Sequence, residues 1–512
     1  MSRGSIRRQF AAVAVALVLA GSLAACAPPA SNGSNSGEGD GGGTLTIGMP
    51  GNSSETIDPH ITNAASSDLL RAAQLFDGLT RVTNDGDIEM ALAESMTPNE
   101  DNTVWTVTLR PDVKMHDGST LTSDDVIASI ERIIDPDNAA RGANLLSFVS
   151  AEGLEKVDDL TFTVTLAAPY GPFPNVWSSN YLRIAKAGFD PDNPIGTGPF
   201  MYKSFTPGQS LTFVRFDDYW DCAPLVEQLD VIGFADSDAI TNALRGGQID
   251  IAYQVPLAQA ESLESTDGIN ILESETGLYL PIVMRTDQAP FNDPRVREAM
   301  KLIADRDQLV GSALAGHGRV ANDYISGYGF CPDVDLPQRT QDIDRAKELL
   351  AEAGQSDLTF DLATTPGTTG MVDSAVIFAE QAKEAGVTVN VNQLDEASYL
   401  DNYLGWTAAV DFYSSPYLEL VPLTLLPGGG GNASHWDDPE FGALAAELFA
   451  TSDQDAQCAI IDQMKTIEYE RGPNIVWGFV NVLNAYSDKV SGLEPDVTGH
   501  APFHLTTVSV ED

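Results

Sequence analysis

A chain of 512 residues is too long to fold around one hydrophobic core, so the sequence predicts two or three lobes. Its hydrophobic fraction of 43% excludes an intrinsically disordered protein. The formal net charge of -46 excludes nucleic acid and anionic membrane surfaces as partners, because few cationic groups are present to neutralise phosphates. The same charge favours a cationic ligand only weakly.

The first 25 residues have the features of a secretory signal peptide. Arg3, Arg7 and Arg8 supply its positive charge, and the apolar stretch 11–20 is too short to span a membrane as a mature helix. The LAAC motif that follows predicts that Cys26 becomes the lipidated N-terminus of the mature chain. The alternative is an ordinary signal followed by a chance cysteine. Both the general and the twin-arginine export routes stay open.

Residues 26–43 are rich in Gly, Ser, Asn and Pro, which predicts a flexible tether between the lipid and the folded body. No later segment is long and apolar enough to cross a membrane. We therefore expect the protein outside the cell membrane, held there by its lipid. In that oxidising compartment one disulfide among Cys222, Cys331 and Cys458 is possible, and all three pairings stay open.

The predicted elements begin with a strand over residues 45–49 and a helix over 66–76. Alternating β-branched and aromatic residues then predict a strand over 104–109, and a second short strand is expected over 113–115. Asp117-Gly118 supplies the positive φ of a tight turn. Thr122 is placed to begin a helix, with acidic residues in the first turn and an apolar stripe that includes Val126 and Ile130.

These residues carry a family resemblance. The stretch TVTLRPDVKMHDGSTLTSDDV, preceded by ALAES at 91–95, resembles the signature of the family 5 extracellular solute-binding proteins. These proteins are the peptide, nickel and oligosaccharide receptors of ABC importers. Three further stretches are similar to the family: GTGPF at 196–200, ALRGGQIDIAYQVP at 243–256 and APFNDPRVREAMKLIADRDQLV at 289–310. The resemblance runs from about residue 45 to residue 510.

The resemblance implies an α/β, two-lobed periplasmic-binding-protein-like fold (type II, cluster C) with an extra inserted domain. The expected segments are lobe I (44–79 with 196–283 and 482–512), domain II (80–195) and lobe III (284–481). Two strands, near 279–284 and 475–482, are expected to cross between lobes I and III. A ligand between hinged lobes would stabilise a closed form that docks on the membrane permease.

The resemblance also implies where a ligand would bind. The cleft candidates are Thr62, Asn63, Ala65, Gln254, Ser414, Ser415, Tyr417, Glu419, Trp477, Phe479 and Asn481. For Trp477 and Phe479 the alternative is the core of a buried strand.

The stretch WTAAVDFYSSPYLEL at 406–420 departs from the family. Many peptide receptors carry an aspartate here, soon after a tryptophan, that pairs with the amino group of the peptide. In this chain Asp411 lies on the predicted strand and Glu419 follows it. Either Glu419 pairs with an amino group or no residue does.

The sequence predicts neither a metal site nor a cofactor. Its six histidines are dispersed, and Pro502 between His500 and His504 argues against a helical zinc pair. No nucleophile motif is present, which favours a binding protein over a lipid-anchored hydrolase. We expect the binding protein to be a monomer. The expected ligand is an oligopeptide, with a nickel chelate or an oligosaccharide as the alternative.

Overall fold

The computed structural model describes residues 42–62, 66–326, 330–500 and 503–511. The predicted signal peptide, Cys26, most of the tether, Asn63 and Ala65 lie outside these described residues. Within the described ranges, no helix combines the length and the apolar character that crossing a membrane requires.

The sheet of lobe I is mixed and buries the hydrophobic core of that lobe between its strands and the helices packed on it. Strand Thr44–Pro50 lies near its centre, parallel to Gln228–Phe234 on one side and to Ile251–Ala252 on the other. The other strands are Phe200–Thr206, Ser210–Arg215, Ile269–Tyr279, Gly318–Val320 and Gly478–Ser487. The helices are Ser66–Leu75, Ser237–Arg245 and Ala260–Glu264, and a small hairpin joins Val490–Ser491 to Ser509–Val510.

Domain II is built on an antiparallel sheet that carries its own core. Its strands run in the order Ala93–Pro98, Val104–Leu109, Thr161–Leu166 and Val149–Lys156, beside a hairpin of Thr80–Val82 and Ile88–Met90. The helices are Ser123–Ile134 and Phe173–Val176, with short 3-10 turns at Pro136–Asn138 and Ala143–Leu146.

The predicted start of the long helix in domain II is confirmed. Thr122 is the N-cap of helix Ser123–Ile134, and the carboxylate of Asp125 accepts the backbone N–H of Thr122 at 3.0 Å. The predicted positive φ at Gly118 is also present. The strand predicted over 113–115 does not form, because the turn closes so tightly that only a single bridge, Lys114 to Thr120, is made.

The sheet of lobe III contains strands Thr388–Gln393, Thr359–Thr364, Ala408–Val410, Ile282–Met284 and Asn474–Ile475 in that order. Helices pack against it and bury two apolar clusters. The helices are Pro294–Ile303, Arg306–Ala313, Ile343–Glu352, Met371–Glu384, Glu396–Asp401, Tyr417–Leu420, Pro439–Ala450 and Gln454–Arg471, with a 3-10 turn Tyr403–Gly405 and a π-helical turn Val421–Leu425. Asp293 and Asp438 cap the helices that begin at the prolines following them.

Both strands expected to cross between lobes I and III do so. Strand Ile269–Tyr279 belongs to the sheet of lobe I, and Ile282–Met284, after Leu280 and Pro281, belongs to that of lobe III. The chain returns between Asn474–Ile475 and Gly478–Ser487. Strand Gly318–Val320, inside the segment expected for lobe III, pairs with the returning strand in the sheet of lobe I. The exact division into segments therefore stays a prediction.

Two of the stretches that carry the family resemblance bind each other. The backbone N–H of His116 donates to the carbonyl oxygen of Gly196 at 2.9 Å, and its Nε2 lies 2.9 Å from the carbonyl oxygen of Gly198. Both glycines press against the end of helix Ser66–Leu75, where an added Cβ would collide with backbone atoms of residues 74–75. These glycines therefore allow close backbone packing where the chain returns from domain II to lobe I.

Domain II also touches lobe III directly. The backbone N–H of Gly171 donates to the carbonyl oxygen of Phe449 at 2.7 Å, and Nδ2 of Asn102 donates to that of Ala450 at 2.8 Å. A Cβ at Gly171 would collide with the carbonyl group of Thr451. Domain II and lobe III are therefore in direct contact at the main chain of residues 449–451.

Of the three disulfide pairings that the sequence leaves open, the structure contains Cys331–Cys458, with the Cα atoms 5.4 Å apart. The bond joins the loop that carries Phe330 to helix Gln454–Arg471. It therefore fixes one side of the space between domain II and lobe III.

Candidate functional site

Two adjacent cavities lie between the three parts of the molecule. The first, of about 260 Å³, is lined by residues of all three parts, and we call it the polar cavity. The second, of about 340 Å³, lies between domain II and lobe III, and we call it the apolar cavity. Ser178, Pro416 and Glu419 line both, so Glu419 stands where the two cavities meet.

The position of Glu419 follows from the short helix that carries it. Pro416 precedes helix Tyr417–Leu420, and the buried Tyr417 anchors it by donating its hydroxyl to Oε1 of Glu468 at 2.8 Å. Leu418 then lines the apolar cavity, and the next side chain, Glu419, reaches the junction. Successive side chains of this helix therefore lie in different places: Tyr417 in the core, Leu418 in the wall of the apolar cavity and Glu419 at the junction of the two cavities.

Glu419 is a carboxylate in a low-dielectric setting. Burial raises its pKa to about 7, opposed by a hydrogen bond from Ser415. No lysine or arginine among the described residues forms an ion pair with it. An acid in this state can accept a proton or pair with a cationic group that a ligand supplies.

Two tyrosines of domain II lie across the junction from Glu419. Burial, and then the negative charge of Glu419, raise the pKa of Tyr170. Burial also raises the pKa of Tyr181, where Arg141 acts in the opposite direction to Glu419. Both phenols therefore remain protonated at neutral pH and can donate hydrogen bonds to a ligand or to the carboxylate.

The polar cavity is organised around Asp77. Its carboxylate accepts hydrogen bonds from the hydroxyl of Thr197 at 2.8 Å, the hydroxyl of Tyr219 at 3.1 Å and Nε1 of Trp220 at 2.8 Å. Three neutral donors thus hold this charge in place, and burial holds the pKa of nearby Arg183 below its usual value. Arg183 belongs to the lining of the polar cavity, and its buried Nε has no hydrogen-bond partner among the described residues.

Two histidines on the lobe I side of the polar cavity are neutral at pH 7. Burial lowers the pKa of His500 to about 4, and it lowers that of His504 as well. Nδ1 of His500 lies 2.7 Å from the hydroxyl of Tyr253. The polar cavity therefore offers both donors and acceptors, which suits a ligand with several polar groups.

The apolar cavity is lined chiefly by carbon. The aromatic rings of Phe148, Tyr170 and Phe449 form a stack, with centroids 4.2 Å and 5.7 Å apart, that crosses from domain II to lobe III. Leu418 and Phe330 face the same space from lobe III. Among the described residues of its lining, Glu419 alone is charged, and it lies at the edge shared with the polar cavity.

Three of the sequence candidates are brought together. Ser414, Ser415 and Glu419 all line the polar cavity. Tyr417 lines neither cavity, and its hydrogen bond to Glu468 anchors the helix that carries Glu419. Thr62 donates its hydroxyl to Asp68 at 3.1 Å and also lies outside both linings.

The remaining described candidates lie away from the two cavities. Trp477 is fully buried in the core of lobe III, and Phe479 packs in a second core cluster with Arg319 over its ring, so both occupy the core positions that the sequence left as an alternative. Nδ2 of Asn481 donates to Glu273 at 2.6 Å. Gln254 adopts a positive φ, and its backbone N–H donates to Asn484 at 3.0 Å.

Asp411, the first acid after Trp406, is engaged elsewhere. It is buried, and its Oδ2 accepts hydrogen bonds from the hydroxyls of Tyr403 and Tyr413, the latter at 2.6 Å. Asp411 lines neither cavity. Glu419 is therefore the acid of this stretch that reaches the space between the lobes.

The sequence did not predict Asp77 of lobe I or Tyr170 and Tyr181 of domain II as lining residues of the two cavities. Tyr170 lies in a stretch that predicts only a turn, and Tyr181 and Asp77 carry no motif. The available signal was the run of aromatic residues around Pro169 and Pro172, since aromatic side chains next to turns often line binding sites. Within the described ranges, no group of three or more potential metal ligands comes together.

A polar and an apolar cavity enclosed between lobes are an arrangement that suits the binding of a small solute. Residues 87–416 match the family described as bacterial extracellular solute-binding proteins, family 5. The chain belongs to this family and is a solute-binding protein of an ABC importer.

The relatives agree with this assignment. The chain is 25% identical to the glutathione-binding protein GsiB of Pectobacterium atrosepticum, over 86% of this chain and 90% of that protein. It is 26% identical to the oligopeptide-binding protein AppA of Bacillus subtilis, over 79% of this chain and 78% of that protein. The crystal structure of the ABC transporter substrate-binding protein CtaP of Listeria monocytogenes shares the fold, with a TM-score of 0.81 and 22% identity over 92% of this chain and 100% of that one.

Proposed function

We propose that the protein captures an oligopeptide with a free amino terminus and delivers it to an ABC permease. The observation that carries the proposal is Glu419, a carboxylate at the junction of two cavities that has no cationic partner among the described residues. A buried charge without a partner is costly, so the site favours a ligand that brings a positive charge. An ammonium group at this position would form a charge-assisted hydrogen bond.

The polar cavity supports a peptide in particular. A peptide backbone presents alternating hydrogen-bond donors and acceptors. The lining of the polar cavity contains Arg183, which can donate hydrogen bonds, and Ser414 and Ser415, whose hydroxyl groups can donate or accept them. The names of the two sequence relatives, a glutathione-binding and an oligopeptide-binding protein, support the same class of ligand.

Calorimetry with the full-length protein tests amine capture. Glu419→Gln should weaken binding of a free oligopeptide by about 2–5 kcal/mol, roughly 30-fold or more, because the ammonium then enters a site without a counter-charge. Glu447→Gln, an exposed acid on helix Pro439–Ala450, is the matched control and should bind like the wild type. Equal affinity of the wild type for free and N-acetylated peptides would contradict the proposal and favour blocked peptides, sugars or metal chelates.

We also propose that the mature protein is a monomer anchored outside the cell membrane through Cys26. The LAAC motif and the following tether support this anchor. Cys26→Ser should release the protein from the membrane fraction or block its maturation, as followed by fractionation and mass spectrometry. A substituted protein that is still processed and membrane-bound would contradict lipid anchoring.

A further inference from the structure

We propose that the apolar cavity is a specificity site that selects peptides with a bulky apolar side chain at the first or second residue. This inference rests on the proposed function and concerns the part of the ligand next to the amino group. Glu419 lines both cavities, so a ligand whose ammonium pairs with it has the apolar cavity immediately beside that group.

The composition of the walls supports an apolar occupant. Phe148, Tyr170 and Phe449 supply a continuous stack of rings, and Leu145, Leu418 and Phe330 supply further carbon surface. A cavity of 340 Å³ holds on the order of ten water molecules at the density of the liquid. Water against such walls makes few hydrogen bonds, so its replacement by an aliphatic or aromatic side chain is favourable.

The position of the walls gives the cavity a second property. Leu145, Phe148 and Tyr170 belong to domain II, whereas Phe330, Leu418 and Phe449 belong to lobe III. A side chain that fills the cavity therefore touches both bodies at once. The side chain makes all of its contacts only when domain II and lobe III meet. A ligand that carries such a side chain therefore binds the closed form more tightly than the open form, and this difference in affinity stabilises closure.

Phe330 is held in the wall by its neighbour. Cys331 is bonded to Cys458 on helix Gln454–Arg471, and the loop is thus fixed to lobe III directly beside the phenyl ring. The lobe III side of the cavity is therefore held in one position, which gives the closed cavity a defined size. Small or charged side chains then leave apolar surface exposed to water, or bury a charge.

Calorimetry with the purified full-length protein in detergent and three tripeptides tests the inference. Phe-Gly-Gly and Leu-Gly-Gly should bind roughly 10-fold or more tightly than Gly-Gly-Gly, the difference that burial of one large apolar side chain supplies. Phe placed at the second residue should give a comparable gain, and Phe placed only at the third residue a smaller one.

Variants locate the effect. Leu145→Gln and Phe330→Ser, one from each wall, should each reduce the preference for Phe-Gly-Gly over Gly-Gly-Gly, measured within each variant as the ratio of the two Kd values. The control is Leu423→Gln, because this leucine is 44% exposed and lies outside the lining. It should keep the full preference.

The outcomes separate the inference from the proposed function. Equal affinities for Gly-Gly-Gly and Phe-Gly-Gly, both dependent on a free amino group, would overturn the apolar specificity site and leave peptide capture intact. A preference for Phe that both wall variants retain would also overturn it. Failure of all the peptides to bind would overturn the proposed function, and the apolar specificity site with it.

Discussion

Glu419 and Glu468 are both glutamates of lobe III, and burial raises the pKa of each to about 7. Their surroundings differ. Glu468 accepts the backbone N–H of Ile325 at 3.0 Å and the hydroxyl of Tyr417 at 2.8 Å, and the charges of Lys465 and Lys301 oppose the effect of burial. For Glu419, the effect of burial on the pKa is opposed only by the hydrogen bond from Ser415.

This difference separates a structural acid from a candidate binding acid. The carboxylate of Glu468 is satisfied by the fold itself, and its removal would leave donors inside the protein without acceptors. Glu419 lines two cavities, and no lysine or arginine among the described residues forms an ion pair with it. A raised pKa alone therefore does not mark a candidate binding acid, whereas a raised pKa together with an incomplete set of partners beside a cavity does.

The largest expected effect is on folding. Glu468→Ala should lower the free energy of unfolding by about 2–5 kcal/mol, because the buried hydroxyl of Tyr417 and the N–H of Ile325 both lose their acceptor. Denaturant unfolding measures this loss, with Glu447→Ala, an exposed acid, as a control expected within about 0.5 kcal/mol of the wild type. A loss below about 1 kcal/mol would remove the distinction between the two glutamates.

The second expected effect is on the pH dependence of ligand binding. Below its pKa of about 7, Glu419 must lose a proton before it can pair with an ammonium. The Kd for a peptide with a free amino group should therefore rise by about fivefold from pH 7 to pH 6, as the ionised fraction of Glu419 falls. Titration calorimetry at both pH values measures the change.

Glu419→Gln removes the titrating group and should flatten this pH profile. N-acetylated peptide, which carries no ammonium, should show no such slope with the wild type. A slope that survives in Glu419→Gln would assign the titration to another group of the cavity.

The smallest expected effect is on stability in the absence of ligand. The folded-state pKa of Glu419, about 7, lies above its ordinary value of 4.5, so the folded state holds the proton more tightly than the unfolded state. Its contribution to stability is therefore present at low pH and is lost as the pH rises from 4.5 to about 7.

Glu419→Gln lacks this loss, so it should gain stability relative to the wild type over the same window. The gain levels off above pH 7 at on the order of 1 kcal/mol, since solvent reaches part of the carboxylate. Thermal unfolding at a series of pH values measures it, and Glu447→Gln should show no such trend. A variant less stable than the wild type at pH 8 would show that Glu419 is satisfied within the fold, as Glu468 is.

Much of the fold could be predicted from local sequence. Periodicity and capping residues located strand Val104–Leu109 and helix Ser123–Ile134, because these features depend on neighbouring residues. The two crossings between lobes I and III followed from the family resemblance. The 113–115 strand failed because turn geometry, which periodicity does not report, leaves room for one bridge only.

The candidate site was predicted only on one side. Ser414, Ser415 and Glu419 follow from the resemblance of one stretch to a family pattern, and the structure places them in a cavity lining. Tyr170 and Tyr181 come from a domain more than 200 residues earlier in the chain, and only the packing of domain II against lobe III brings them near Glu419. Trp477 and Phe479 were candidates that the structure places in the core instead. The sequence does not separate the two cases, because an aromatic residue on a crossing strand can pack in the core as well as against a ligand.

The contact of Gly171 and Asn102 with residues 449–450 has a consequence for release. A receptor must release its ligand as well as bind it. The two bodies are joined at this end by two hydrogen bonds to main-chain carbonyls and by the contact of the Tyr170 and Phe449 rings, whose centroids lie 5.7 Å apart. Each hydrogen bond contributes about 0.5–1.5 kcal/mol, and an aromatic pair adds a similar amount, so separation of the empty molecule at this contact costs on the order of a few kcal/mol. A ligand that spans the gap would add to this cost, and its removal would return the contact to the smaller value.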